Sequence, residues 1–186
     1  ISFKRIQFEL RQRREVLLDF YVWGNELYSV IISENDLAIV KHILPSDFNS
    51  DVWKLKYELT KYKPREYARI ANRVYLETLD SVLLHIPKNS KRVVICPDGN
   101  LQNIPWDALV SDTLNVETFK SLNYLLNQYV MRTVITPRHL VMESKMSQGF
   151  LGITSDFELS KRFSQIPFSN GLVKTKAHDL KGQAMS

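Results

Sequence analysis

The sequence predicts an α/β fold, in which an antiparallel β-meander and a helical hairpin lead into a mostly parallel sheet flanked by helices. Residues 15–43 contain three short segments rich in aliphatic and aromatic side chains, separated by short polar turns. Residues 46–86 place apolar side chains at intervals of three and four, as amphipathic helices do. After residue 91 the order strand, helix, strand indicates parallel pairing, because the intervening helix can serve as the crossover.

The meander is expected to consist of strands Glu15–Trp23, Leu27–Ser33 and Leu37–Ile43. Gly24-Asn25 reads as a turn pair, because both residues tolerate a positive φ. Glu34–Asp36 supplies the second turn. Such short connections favour antiparallel pairing, since parallel strands need a long crossover.

Two helices are expected next, separated by a proline. The first carries apolar side chains at helical spacing, namely Val52, Leu55, Leu59 and Tyr62. Pro64 suits the first position of the second helix, where its missing N–H would have no partner. The second helix has one continuous apolar stripe, made of Ala71, Val74, Tyr75, Leu79, Val82, Leu83 and Ile86. Pro87 ends it.

The last part of the chain is expected to form the parallel layer. Lys91–Pro97 is apolar without alternation, which is typical of a strand buried on both faces. It is followed by a strand at Asn127–Ile135, a helix at Thr136–Met142 and a strand at Phe150–Thr154. Residues 155–186 are polar and are expected to be irregular, with Ile166–Phe168 as an anchor.

The composition indicates a folded protein of a reducing compartment. The 186 residues are 44% hydrophobic, enough to bury ~70% of the surface that the unfolded chain exposes. A single cysteine excludes a disulfide-bonded scaffold, and no apolar run has the length of a transmembrane helix. With no secretory leader at its start, the sequence predicts a cytoplasmic protein.

The net charge of +5 raises the question of a polyanionic partner. The densest basic segment begins at Lys54 and runs through Arg65 towards Arg73, with tyrosines and acids interleaved. Mixed charge on a helix favours a solvated face. A surface for a partner or for nucleic acid is the alternative, and it would require clustering of the cations on one side.

A search for catalytic motifs finds no complete set. Phosphate-binding glycine loops, the common zinc signatures and the nucleophile elbow are all absent from the sequence. Cys96 lies in an apolar strand, where burial would raise the pKa of its thiol and keep it inert. Asp98 follows that strand, at the edge where α/β sheets place ligands, although a turn alone also favours aspartate. The four histidines are scattered and are expected to be structural, namely His42, His85, His139 and His178.

The segment Arg92–Val110, RVVICPDGNLQNIPWDALV, resembles the opening of a CHAT domain, the caspase-like module found after tetratricopeptide repeats in many bacterial proteins. That family has an apolar strand, Pro-Asp-Gly, a leucine, and then Pro-Phe/Trp-Glu/Asp-Ala-Leu. The matching residues are Pro97, Asp98, Gly99, Leu101, Pro105, Trp106, Asp107, Ala108 and Leu109. The later elements expected at 124–142 and 150–154 are also similar to the family, and upstream Ile6-Gln7 with Val16–Trp23 resembles its helix and first strand. The resemblance therefore covers nearly the whole chain.

The resemblance implies the first half of a caspase-like sheet in a cysteine endopeptidase that needs no cofactor and no metal. In this group a histidine and a cysteine at the ends of adjacent strands form the catalytic dyad. Neither position is matched in this chain, and Cys96 stands where the family usually has an aliphatic residue. The dyad is therefore expected beyond Ser186, which leaves Asp98 and Gly99 as the candidates to line the substrate cleft.

The same resemblance implies the partners and the organisation of the chain. The expected partners are a protein substrate, a tetratricopeptide-repeat or sensor region of the same protein and the remaining half of the domain, with no membrane and nucleic acid only indirectly. A helix with the meander is expected in 1–44, a helical hairpin in 45–90 and the first part of the α/β domain in 91–186. The alternative functions are a catalytically inactive scaffold for a protein partner and a basic module associated with nucleic acid.

Overall fold

The computed structural model of the chain confirms the α/β fold, with a mixed five-stranded sheet. The structure describes residues 2–61, 63–114, 116–143, 151–153 and 183–185. The chain divides into two compact units, residues 1–144 and residues 145–186. The five-stranded sheet lies in the first unit, and a pair of short strands lies in the second.

The elements follow one another in the order helix, meander, helices, parallel strands. The helices are α1 (Phe3–Arg13), α2 (Phe48–Thr60), α3 (Pro64–Thr78), α4 (Asp80–Leu83) and α5 (Arg138–Glu143). The strands are β1 (Glu15–Trp23), β2 (Glu26–Ile32), β3 (Leu37–Ile43), β4 (Arg92–Cys96), β5 (Val130–Thr133), β6 (Leu151–Ile153) and β7 (Gln183–Met185). Short 3₁₀ helices occupy much of the stretch between β4 and β5.

The strand order of the large sheet is β3-β2-β1-β4-β5. β1 pairs with β2 in the antiparallel sense and with β4 in the parallel sense, and β4 pairs in parallel with β5. The last register pair of β1 with β4 joins Asp19 to Cys96. The meander and the parallel strands therefore form a single sheet, which shares β1 between them.

Helices cover both faces of this sheet. One core packs α1 and α5 against the sheet and includes Leu10, Leu17, Val94 and Leu140. The other core packs α2, α3 and α4 against the opposite face and includes Phe20, Val52, Val74, Val82 and Ile95. β4 is therefore buried on both faces, as its uninterrupted apolar sequence predicts.

The predicted second helix is broken near its middle. The apolar stripe faces the core as expected, but α3 ends at Thr78 and α4 begins at Asp80. The hydroxyl of Thr78 donates a 2.7 Å hydrogen bond to the carbonyl of Val74, one turn earlier. Such back-bonding bends helices, and Leu79 at the junction leaves helical geometry with φ −120°.

Several boundaries differ from the expectations. At the first turn only Gly24 has a positive φ, of 62°, because Asn25 adopts an ordinary conformation. β5 is shorter than expected because a 3₁₀ helix, Leu125–Asn127, occupies the start of its predicted span. β7 forms within a stretch expected to be irregular, and it pairs in parallel with β6. The anchor expected at 166–168 lies outside the described residues.

Candidate functional site at the carboxyl edge of the parallel strands

The turn after β4 is built by Pro97, Asp98 and Gly99. Pro97 is buried, and Gly99 opens a 3₁₀ helix with a φ of 50°, which glycine adopts at little cost. The Oδ2 atom of Asp98 accepts a hydrogen bond from the backbone N–H of Val22, at 3.0 Å. This bond lies beyond the last paired residues of β1 and β4, so it fixes the turn to the central strand.

The Pro-Trp-Asp-Ala-Leu string returns the chain to the core. Trp106 is 4% exposed, and its ring stacks on Phe20 of β1 with the centroids 5.1 Å apart. Leu109 is fully buried, and the hydroxyl of Tyr67 in α3 donates to the carbonyl of Ala108 at 2.8 Å. Asp107 is exposed to solvent. The string therefore anchors the loop that follows the Asp98 turn.

Four polar side chains meet where β1 and β4 stop pairing, and we name Asp19, Tyr21, Cys96 and Asp98 the carboxyl-edge cluster. The hydroxyl of Tyr21 donates to Oδ2 of Asp19 at 2.8 Å. The thiol of Cys96 donates to the carbonyl of Ile135 at 3.5 Å. Asp19 is only 6% exposed, which is unusual for a carboxylate.

The environment of the cluster shifts its proton equilibria. Burial raises the pKa of Asp19 above its ordinary value. The hydrogen bond to Asp19, followed by burial, raises the pKa of Tyr21 to about 12. Burial and the nearby charge of Asp19 raise the pKa of Cys96 to about 12. The prediction that Cys96 is buried is confirmed, and its raised pKa supports the interpretation that the thiol stays protonated near neutral pH.

The sequence did not reveal two members of the cluster, Tyr21 and the buried Asp19. A carboxylate in the apolar segment EVLLDFYVW is the signal that could have identified Asp19, because strands of this kind rarely bury an unpaired acid. Its position opposite Cys96 follows only from the parallel register of β1 and β4, which the local sequence does not encode.

No described histidine forms a hydrogen-bonded dyad with Cys96, whose polar neighbours are Asp19, Asp98 and the carbonyl of Ile135. His42 of β3 instead lies 2.7 Å from the hydroxyl of Ser81, measured from its Nε2 atom, and ties the edge strand to α4. His85 is exposed after α4, His139 lies in the first turn of α5, and His178 lies outside the described residues.

The basic segment 54–73 makes most of its polar contacts within the fold. The contacts are Lys54 with Asp51, Lys63 with Glu66, Arg73 with Asp47 and Asp51, Lys61 with the ring of Tyr57, and Arg65 with the carbonyl of Val116. Because these cations have partners of their own, the segment matches the interpretation as a solvated, charge-balanced helix face.

Among the described residues no group of histidine, cysteine, aspartate and glutamate side chains is arranged to hold a metal ion. No helix in the same part of the chain has the length and apolar character needed to cross a membrane. Comparison of the sequence with protein-family models gives no match. No curated protein matches the chain either.

Proposed function

We propose that this chain is the N-terminal part of a cytoplasmic CHAT-type, caspase-like cysteine endopeptidase. In this proposal an attached repeat or sensor region activates the enzyme, which then cleaves a protein partner. The observation that carries the proposal is the position of the Pro-Asp-Gly turn, which leaves β4 at the carboxyl edge of the parallel strands β1, β4 and β5. Open α/β sheets place their ligands at this edge.

The strand order is compatible with a catalytic dyad on later strands of the same sheet. The described sheet ends at β3 and β5, and we propose that further parallel strands add beside β5, because β5 already pairs in parallel with β4. The carboxyl ends of such strands would face the same edge as Asp98. A histidine and a cysteine ending two of them would then stand at the same edge as the carboxyl-edge cluster, on the far side of β5, where a dyad can act.

In this arrangement the chain supplies the wall of the substrate cleft. The bond from Val22 to Asp98 and the stacking of Trp106 on Phe20 hold that wall rigid. A rigid wall orients the scissile carbonyl towards the nucleophile, which lowers the entropic part of the barrier. The thiolate of the dyad attacks the carbonyl carbon, and backbone N–H groups stabilise the oxyanion that forms.

The test is made on the protein extended beyond Ser186 by about 100 residues, a typical remainder of a domain. We expect that extension to contain a histidine and a cysteine at the ends of adjacent strands. Candidate proteins co-expressed with it should be cleaved, and alanine at the new cysteine should abolish cleavage. Cys96→Ser serves as the matched control and should leave cleavage unchanged. An extension without such a pair would refute the proposal.

A catalytically inactive scaffold is the second candidate, and an exposed apolar surface favours it. Trp23 is 79% exposed, and Tyr21, Ile39 and Ile43 are also more than half exposed. The register of β1, β2 and β3 puts these four side chains on one face of the sheet. Exposed aromatic and aliphatic clusters mark protein interaction sites. A stable complex that forms without cleavage of the bound protein would select this candidate.

A further inference from the structure

A basic depression lies at the end of the sheet opposite the carboxyl-edge cluster. It has a volume of about 630 Å³ and forms where α1 ends and where β1 and β4 begin. We name it the amino-edge depression, and its lining consists of Gln12, Arg13, Arg14, Glu15, Asn89, Lys91 and Arg92. Four of these seven side chains are cations and one is a carboxylate, so the lining is strongly positive.

The single carboxylate does not neutralise the lining. Glu15 is 9% exposed, and both of its oxygens are bound by Arg132 of β5. The Nε–Oε1 distance is 3.0 Å and the Nη2–Oε2 distance is 2.8 Å, a two-pronged ion pair. In the described part of the chain no carboxylate pairs with the exposed side chains of Arg14 or Arg92. These guanidinium groups are available to an anionic ligand.

The backbone of Arg14 adopts a left-handed conformation, which is uncommon for a residue with a side chain. Arg14 has φ 54° and ψ 44°, and among the described residues it is the only non-glycine with a positive φ. It follows the last turn of α1, where glycine is the usual residue because it adopts this conformation without strain. Independently of this conformation, Arg14 belongs to the lining of both the amino-edge depression and the hollow beside it.

A second hollow of about 250 Å³ adjoins the depression and shares Arg14, Glu15 and Asn89 with it. Its other lining residues are Leu10, Val16, Ser33, Glu34, Pro87 and Ser90. The carboxylate of Glu34 pairs with Arg11, and the remaining mixture of aliphatic and hydroxyl groups suits a small organic moiety with hydrogen-bonding groups. The two hollows together provide a charged compartment beside a less polar one.

We propose that the amino-edge depression binds a small organic polyphosphate. The phosphates contact Arg14, Lys91 and Arg92, and the organic part occupies the adjoining hollow. Arginine forks bind phosphate oxygens in pairs, whereas Lys91 contributes a point charge. The partial negative charge at the end of α1 is offset by Arg11 and Arg13 in its last turn, which leaves the other cations for the ligand.

The proposal is tested by titration calorimetry on the 186-residue chain at constant ionic strength, with adenosine triphosphate as the probe. We expect saturable binding at one site and at least tenfold weaker binding of inorganic triphosphate, which cannot fill the adjoining hollow. Arg14→Gly and Arg92→Gln should each weaken binding about tenfold or more, the effect of losing a charge-assisted contact. Arg138→Gln, an exposed arginine at the start of α5, is the matched control and should bind as the unaltered chain does.

Arg14→Gly also separates loss of binding from loss of folding. Glycine relieves the positive φ, so the melting temperature of this variant should stay the same or rise while its affinity falls. Unchanged affinity in both Arg14→Gly and Arg92→Gln would overturn the proposal. An equal loss of affinity in Arg138→Gln would also overturn it, since binding would then follow overall charge. Equal affinity for inorganic triphosphate and for adenosine triphosphate would overturn the proposal too. The same holds if an oligonucleotide binds and adenosine triphosphate does not.

Discussion

The carboxylate of Asp98 accepts a 3.0 Å hydrogen bond from the backbone N–H of Val22, a residue 76 positions earlier in the chain. The bond fastens the turn after β4 to the end of β1. Asp98→Ala should lower the free energy of unfolding by about 1.5 kcal/mol, because a charge-assisted bond to a partly buried N–H is lost. Asp98→Asn keeps an acceptor oxygen and should retain most of the stability. Urea denaturation of both variants measures the effect, and an alanine variant as stable as the unaltered chain would contradict this role.

Trp106 should be the most costly position in the loop that follows. Its ring is buried and stacked on Phe20, so Trp106→Ala removes both burial and ring contact. We expect the free energy of unfolding to fall by about 3–5 kcal/mol. Trp106→Phe preserves an aromatic ring at the same place and should lose less. Thermal unfolding followed by circular dichroism checks the pair, and an undiminished melting temperature in Trp106→Ala would refute the packing role.

Asp51 offers a comparison between two cations that share one carboxylate. Asp51 is 2% exposed and pairs with Arg73 of α3 and with Lys54 of its own helix. Arg73→Ala should cost about 2–3 kcal/mol, because it removes the main partner of a buried carboxylate, although Arg73 itself is 38% exposed. Lys54→Ala removes an exposed partner and should cost at most about 1 kcal/mol. Chemical denaturation of the two variants tests this difference, and equal losses would contradict it.

Asp19 should make stability depend on pH in the acid range. Burial raises the pKa of Asp19 above its ordinary value of 3.8, so the folded protein holds this proton more tightly than the unfolded chain does. The resulting loss of folding stability is absent below pH 3.8. It develops as the pH rises from that value to the raised pKa of Asp19 in the folded protein. Asp19→Asn avoids this loss and keeps an acceptor for the hydroxyl of Tyr21.

The variant should therefore be more stable than the unaltered chain at pH 7. This difference in stability should shrink as the pH falls below the pKa that Asp19 has in the folded protein. Free energies of unfolding of both proteins, measured across this pH range, test the prediction. Asp19→Glu is the control, because it keeps a titrating carboxyl in place. An advantage of Asp19→Asn that is the same at all pH values would contradict the linkage.

The sequence predicted the elements of this fold better than their assembly. The three strands of the meander and the buried strand β4 follow from local patterns of apolar residues and turns. The parallel pairing of β1 with β4 does not follow from such patterns. Side chains alternate between the two faces of a strand whichever strand lies beside it, so the alternation does not identify the partner. The break of the helix at Leu79 could not be predicted from the sequence pattern either. The hydrogen bond from Thr78 to Val74 leaves the spacing of the apolar residues unchanged.

The sequence likewise predicted single residues of the candidate site but not how they come together. Asp98 and the string around Trp106 were recognisable because turn residues and a proline punctuate them in the sequence. The carboxyl-edge cluster needed Asp19, whose neighbour Cys96 is brought beside it by strand register alone. The amino-edge depression likewise joins Arg14 to Lys91 and Arg92 from separate segments.

In the proposed function the catalytic nucleophile lies beyond Ser186, and Cys96 has a structural role. The most direct measurement treats the extended protein with a thiol-reactive peptidyl ketone near neutral pH and maps the labelled cysteine by mass spectrometry. Cys96 should remain unlabelled in the folded protein, because its pKa of about 12 leaves almost no thiolate. We predict a single label on a cysteine beyond Ser186 that is lost when the paired histidine is replaced. Labelling of Cys96 in the folded protein, or of no cysteine at all, would contradict the account.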